Sequence, residues 1–285
     1  MSQIIQSGIT DTTIFVLLAT SFFVIFNVAK MLHFAHGTAY LLGAYAAFWV
    51  YPHVPFVVAA LTAVAAAAAF GYLCERVVYG PLRARGATGM VLLISSLALF
   101  IVGENAIGMK FGSQTINIQS DLQLLAFNVA DAYFSWIQIV GVVGAAVWVV
   151  ALALVLAKTS VGQYIRAVST HEPLAELSGI SAARIRRLVF LGASAAVGFA
   201  GLIRLVDLNG DPTMGFTGTL FGIVPFIVGG ARSVWGAVLG AAIVGFGINA
   251  FGWYIGTEWT LAFVFGVLAL IVLVRPEGLI APRRA

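Results

Sequence analysis

Charge is what this chain has least of. Only 9% of its 285 residues are Asp, Glu, Lys or Arg, against 61% hydrophobic, and the mean hydropathy is +1.03. That composition excludes a soluble domain. Cysteine is nearly absent too: Cys74 stands alone at the cytoplasmic end of an apolar run, so it makes no intrachain disulfide. Nothing around it has zinc-ligand spacing, and it reads as packing. There is no GxxxxGK[ST] stretch, so the chain does not bind ATP through a P-loop of its own. No basic run is interleaved with aromatics on a polar face, and the net charge of +4 therefore does not point to nucleic acid. The opening MSQIIQSGITD lacks a basic n-region, so no cleavable signal is expected. Glu75, Glu104, Asp207 and Glu258 fall at or near the ends of apolar segments, and Arg204 can pair with Asp207 one helical turn on. With no acid read at mid-bilayer, a proton- or sodium-driven carrier and an intramembrane aspartyl protease are both disfavoured. No enzyme is expected.

What the chain has in abundance is apolar segments of the roughly 20 residues that cross a bilayer. They are read at 9–29, 33–51, 55–75, 89–108, 137–157, 187–207, 216–231, 234–253 and 258–274. The intervals between them sort by charge. Lys30, then Arg76, Arg83 and Arg85, then the 158–187 interval, then Arg232, then Arg275, Arg283 and Arg284 alternate with cation-poor intervals. The latter are 52–54, 109–136 (where Lys110 is offset by Asp121 and Asp131), 208–215 and 254–257. By the positive-inside rule this gives nine spans, N-terminus outside and C-terminus inside, in a single all-α membrane domain over 1–285. The first hairpin is tight around Lys30, so eight spans with one of the first two re-entrant is the alternative.

The 158–187 interval is the one long polar stretch that also reads as ordered helix. It holds Lys158, Arg166, Arg184, Arg186 and Arg187, a third of the chain's fifteen cations. Ser169 and Glu172 have capping-box spacing, Pro173 suits a first turn, and Leu174 to Leu177 favour helix. Gly179 can close that helix in a left-handed conformation, and Ser181 can cap the next. The expected product is a helix of about two turns across the cytoplasmic face, with Leu174, Leu177 and Ile180 free for a partner; a solvated connector is the alternative.

Elsewhere, His33 and His36 are three apart and are placed on one helix face, but no acid or cysteine lies near enough to complete a metal shell. They read as polar groups satisfied by neighbouring helices. Gly198-x-x-Gly201, Gly236-x-x-x-Gly240 and Gly252-x-x-x-Gly256 let helix backbones approach. Pro225 falls inside a span and should kink it or mark a broken helix beside a cavity.

Several of these stretches resemble the LivH-type permeases of branched-chain amino acid ABC importers, in order and over nearly the whole length. Asn27-Val28, His33-Phe34-Ala35-His36-Gly37 and Gly43-Ala44-Tyr45 resemble the family's NFAHG segment. Arg166-Ala167, Ala175 and Gly179-Ile180 match the spacing of its ATPase-coupling loop. Gly229-Gly230, Ser233, Gly236-Ala237 and Gly240 resemble its glycine-rich hairpin, and Arg275-Pro276-x-Gly278-Leu279 its terminal motif. His33 stands where the family usually has Asn, Arg232 where Gly is common, and Trp235 where Pro is common.

The resemblance implies a polytopic helical bundle of the type II-like importer class in a bacterial inner membrane. It implies a second related permease, two cytoplasmic ATPases that use ATP and Mg, and a periplasmic binding protein, with no cofactor bound by this chain. The cargo would be branched-chain or other hydrophobic amino acids, or a related small amide or acid. A channel or facilitator for a small neutral solute such as urea is the competing class. Helix 170–179 would be the coupling helix, with Arg166, Leu174, Ala175, Glu176, Leu177, Gly179 and Ile180 at the ATPase. The intervals 109–135 and 208–215 would receive the binding protein. Candidates for the translocation route are Asn27, His33, His36, Gly37 and Asn249.

Overall fold

The computed structural model describes residues 2–124, 126–129 and 132–280. Asp131, Arg283 and Arg284, counted in the charge alternation, lie outside the described residues. Each of the nine apolar segments is a helix. In chain order they are α1 (Ser2–Ala29), α2 (His36–Val50), α3 (Phe56–Leu73), α4 (Gly89–Phe111) and α5 (Trp136–Lys158). Two helices of the polar interval follow, α6 (Ser160–Thr170) and α7 (Glu172–Leu177). Then come α8 (Ala182–Asp207), α9 (Met214–Gly229), α10 (Val234–Tyr254) and α11 (Thr260–Val274). Seven have the length and apolarity to cross a membrane, counting α3 through Ala84 and α11 from Thr257. At 15 and 16 residues, α2 and α9 are shorter than the roughly 20 that span the hydrocarbon core.

Hydropathy does not decide which helices are central; packing does. α1 and α8 are 83% and 72% buried over their most apolar windows, whereas α3, α4 and α5 are at 22% and α11 at 6%. α1 packs on α10, α8, α9 and α5, and α8 packs on α3 and α2. Glycines let these backbones meet. A Cβ on Gly43 of α2 would stand 2.7 Å from the Gly198 carbonyl carbon of α8, and Gly201 lies against the Tyr40 carbonyl. Gly236 and Gly240 do the same for α10 against the Gly229 backbone. The third glycine pair behaves otherwise: Gly256 lies beyond the end of α10 at φ +134°, and Gly252 faces only Thr257 of that turn. It closes a turn rather than a helix contact.

Two local irregularities set up the sites. α3 widens into a π-helical turn, Cys74–Tyr79, before resuming over Gly80–Ala84. Pro81 cannot donate to the carbonyl four residues back, and the Gly80 amide bonds five back, to Glu75. The second irregularity is the α1–α2 connection. α2 begins at His36, so His33 sits in the buried turn before it and not on a shared helix face; the turn closes with the His36 amide on the His33 carbonyl at 3.1 Å. On the other side, a hairpin, Ala126–Val129 paired with Ala132–Ser135, precedes α5. Ile116 and Gly210 exchange backbone hydrogen bonds at 2.7 and 2.9 Å, joining the α4–α5 and α8–α9 connections. α5, roughly 34 Å long at 1.5 Å per residue, separates that end from the polar interval.

Candidate functional site

At the polar-interval end, Thr159 caps α6 by accepting from the Gly162 amide at 3.1 Å. Gly162, Ile165 and Val168 turn inward, leaving Arg166 exposed, with its guanidinium donating to the Leu156 carbonyl. Ser169 is consumed in the last turn of α6, so the expected capping box does not form. His171 caps α7 instead, its Nδ1 accepting from the Leu174 amide at 3.2 Å. α7 is therefore six residues, Glu172–Leu177, shorter than the 170–179 expected. Gly179 does close it, at φ +83°, and Ser181 does cap α8. Leu174 and Leu177 are 58% and 85% exposed and Glu176 is exposed beside them, whereas Ala175 is buried and Ile180 packs inward.

Glu172, freed from capping, reaches α8. Arg186 Nη1 lies 2.5 Å from its carboxylate, while Arg186 Nε lies 3.0 Å from Glu75, which also takes Arg83 at 2.7 Å. This chain of alternating charge, buried at Arg186 and Glu75 and half-exposed at Glu172, ties α7 to α8 and to the π turn of α3. Spacing alone could not find it: Arg184, Arg186 and Arg187 are equivalent as topology markers, and only the fold selects Arg186 for burial.

The NFAHG-like residues lie just above. Asn27 donates to the Phe23 carbonyl at 2.8 Å and to the Ala231 carbonyl at 2.9 Å, hooking α1 to the α9–α10 turn. It also lines a cavity of about 500 Å³ shared with Arg166, Arg232 and Trp235. His33 and His36 are fully buried with ring centroids 5.5 Å apart, and His33 Nδ1 is 3.0 Å from the Tyr79 hydroxyl. Neither lines this cavity or the one at the opposite end of the bundle. Gly37 is a close approach, a Cβ there standing 2.6 Å from the Gly215 carbonyl of α9. The hairpin and terminal motifs, far apart in sequence, form one knot: the Leu279 amide bonds Val228 at 3.0 Å and the Ile280 amide bonds Gly229 at 3.2 Å.

At the opposite end, α1, α2, α8, α9 and α10, with Thr260 of α11, line an open cavity of about 480 Å³. Asn249 lines it, donating to Asp11 at 2.8 Å and to the Gly245 carbonyl at 2.9 Å. Asp11, well inside α1, was not among the acids singled out from the sequence. Arg204 lines the same cavity and does not pair with Asp207, which accepts from Gln138 Nε2 at 3.0 Å. Among the described residues Arg204 has no carboxylate within 4 Å. Phe15 and Phe221 stack at 4.8 Å on the apolar side. Pro225, one turn below Phe221, cannot donate to its carbonyl, yet α9 runs on unbroken.

Residues 4–273 match the family described as branched-chain amino acid transport system / permease component. The chain belongs to this permease family. It is similar to the high-affinity branched-chain amino acid transport system permease protein LivH of Escherichia coli, 27% identical over 96% of this chain and 93% of that one. The corresponding BraD of Pseudomonas aeruginosa is 28% identical over 98% and 95%. Among solved structures, PsaBC from Streptococcus pneumoniae in complex with Fab covers 95% of this chain and 91% of its own at TM-score 0.56, and at 14% identity supports the fold alone. A permease subunit needs a polar lining within an apolar bundle and a handle by which other subunits move it. The cavity lined by Asp11 and Arg204 is polar within an apolar bundle, and α7 is held to α8 through Arg186.

Proposed function

We propose that this chain is the membrane-spanning subunit of an ATP-driven importer for branched-chain or other hydrophobic amino acids, in a bacterial inner membrane. It works with a second related permease and two cytoplasmic ATPases that supply ATP and Mg chemistry, and it catalyses no reaction itself. A periplasmic binding protein delivers cargo to the joined connections around Ile116 and Gly210. The relatives' substrate is the ground for naming the cargo. The observation that carries the mechanism is α7. A helix of six residues has little stability of its own, yet this one exposes two leucines to solvent while its first residue is clamped to a membrane helix through Arg186. An ATPase groove that covers Leu174 and Leu177 would pull on α8 and α3 through the Glu172–Arg186–Glu75–Arg83 chain.

The test is reconstitution. The chain with both ATPases, its permease partner and the binding protein should concentrate labelled L-leucine in proteoliposomes at the expense of ATP. The chain alone should neither hydrolyse ATP nor accumulate solute. Accumulation by the isolated chain would overturn the importer reading, and rapid downhill flux through it would make it a facilitator.

A further inference from the structure

The outer cavity has a lining sorted by chemistry. Past Ile4, α1 contributes Ser7, Asp11, Ile14, Phe15 and Leu18, which keep one helical stripe, polar at Ser7 and Asp11 and apolar from Ile14 on. Arg204 of α8 faces this stripe, and Asp211 closes the rim. Arg204, Asp11 and Tyr40 all line this cavity, so the three share one locale. Asn249 satisfies one Asp11 oxygen, Oδ2. A guanidinium with no carboxylate within 4 Å among the described residues, inside a helical bundle where ionisable groups are costly, suits an anion. Asp11 and Asp211, on the same lining, suit a cation, although Asp211 Oδ1 already accepts from the Thr213 amide and hydroxyl.

We propose that this cavity binds a free zwitterionic amino acid. Its carboxylate lies on Arg204, its ammonium lies between Asp11 and Asp211, and its side chain rests on the Phe15–Phe221 stack. A monoanion would meet only Arg204, a monocation only the two carboxylates, and a neutral solute neither charge, whereas a zwitterion meets both signs. At about 480 Å³ the space falls within the range of small-molecule sites. The proposal rests on the importer reading and adds to it a site on this chain.

The test uses the assembled transporter. ATP-driven L-leucine uptake in proteoliposomes with the binding protein is measured for wild type, Arg204→Met, Asp11→Asn and Thr217→Trp. The last fills the cavity wall without removing a charge, and it keeps the test open where a charge variant does not assemble. Binding of L-leucine, isopentylamine and 4-methylpentanoate to the same complex in nanodiscs, without binding protein, is read by ligand-observed NMR. Loss of uptake by about tenfold or more in the variants, with complexes still co-purifying, is expected. Leucine should bind and the two single-charge analogues should not. Normal uptake in all assembled variants, or equal binding of the three compounds, overturns the cavity while leaving the importer reading. Failure of the wild type to concentrate any proteinogenic amino acid overturns both.

Discussion

Arg186 of α8 and Glu172 of α7 meet at 2.5 Å, nitrogen to oxygen, although Glu172 is 42% exposed and Arg186 only 6%. The asymmetry separates two variants. Glu172→Gln removes a charge from a half-solvated partner, so the fold should survive while α7 loosens from the spans. The expected result is several-fold weaker stimulation of ATP hydrolysis by loaded binding protein, with normal co-purification. Arg186→Met instead leaves Glu75, 1% exposed, with Arg83 alone. Because Glu75 keeps Arg83, the cost should be below the ~3–5 kcal/mol of leaving a buried charge with no partner, but the complex should still melt at lower temperature. An unchanged melting curve for Arg186→Met would remove the network from the mechanism.

Gly179→Val tests the closing turn of α7. The residue sits at φ +83° with nothing within 4 Å of where a Cβ would stand, so the penalty is conformational and not steric crowding. Strain of about 1–3 kcal/mol is small against membrane insertion and large for a six-residue helix. Normal protein yield with ATP hydrolysis uncoupled from uptake is expected; retained coupling would make α7 a passive connector.

Leu177→Asp tests the exposed face. At 85% exposure the side chain supports little of the fold, so the variant should insert normally yet lose ATPase subunits on co-purification. Recovery of ATPase at wild-type stoichiometry would place the docking surface elsewhere.

Sidedness is checked with single cysteines at Glu176 and Gln119, both exposed, in a Cys74→Ser background. An impermeant maleimide added to right-side-out vesicles should label Gln119→Cys and spare Glu176→Cys until the membrane is opened. Labelling of both from one face would contradict the charge-derived topology.

His36→Ala separates packing from passage. The ring is fully buried against Phe22 at 4.7 Å and lines neither cavity. The expectation is a loss of stability of about 2–4 kcal/mol, as for other large-to-small core changes, with L-leucine transport per assembled complex unaltered. A specific fall in transport with an unchanged melting temperature would return His36 to the route.

The sequence made the nine helices legible because each is a long run of one polarity, and the cations between them set direction. Gly179 and Ser181 were legible because a positive φ and a helix cap are single-residue chemistry. Ser169 misled because a capping box needs the helix to begin there, and α6 runs through it. The His33–His36 spacing fits a helix, but a turn fits it equally well. Centrality was invisible: α1 and α11 have hydropathies of 2.1 and 2.2 but burials of 83% and 6%. The decisive polar pairs, Asp11 with Asn249 and Glu75 with Arg186, are 238 and 111 positions apart, beyond any local pattern.

That first separation bears on how the subunit is made. Thr13 and Thr20 of α1 donate to their own helix, to Ile9 at 2.8 Å and Val16 at 2.6 Å, so they need no neighbour. Asp11 takes its hydrogen bond from Asn249 on α10. At about 5–20 residues per second, the ribosome delivers Asn249 roughly 10–50 s after Asp11. Throughout that interval the most deeply packed helix lacks the Asn249 amide that its carboxylate accepts from in the finished fold. A chain cut short before α10 lacks that hydrogen bond permanently.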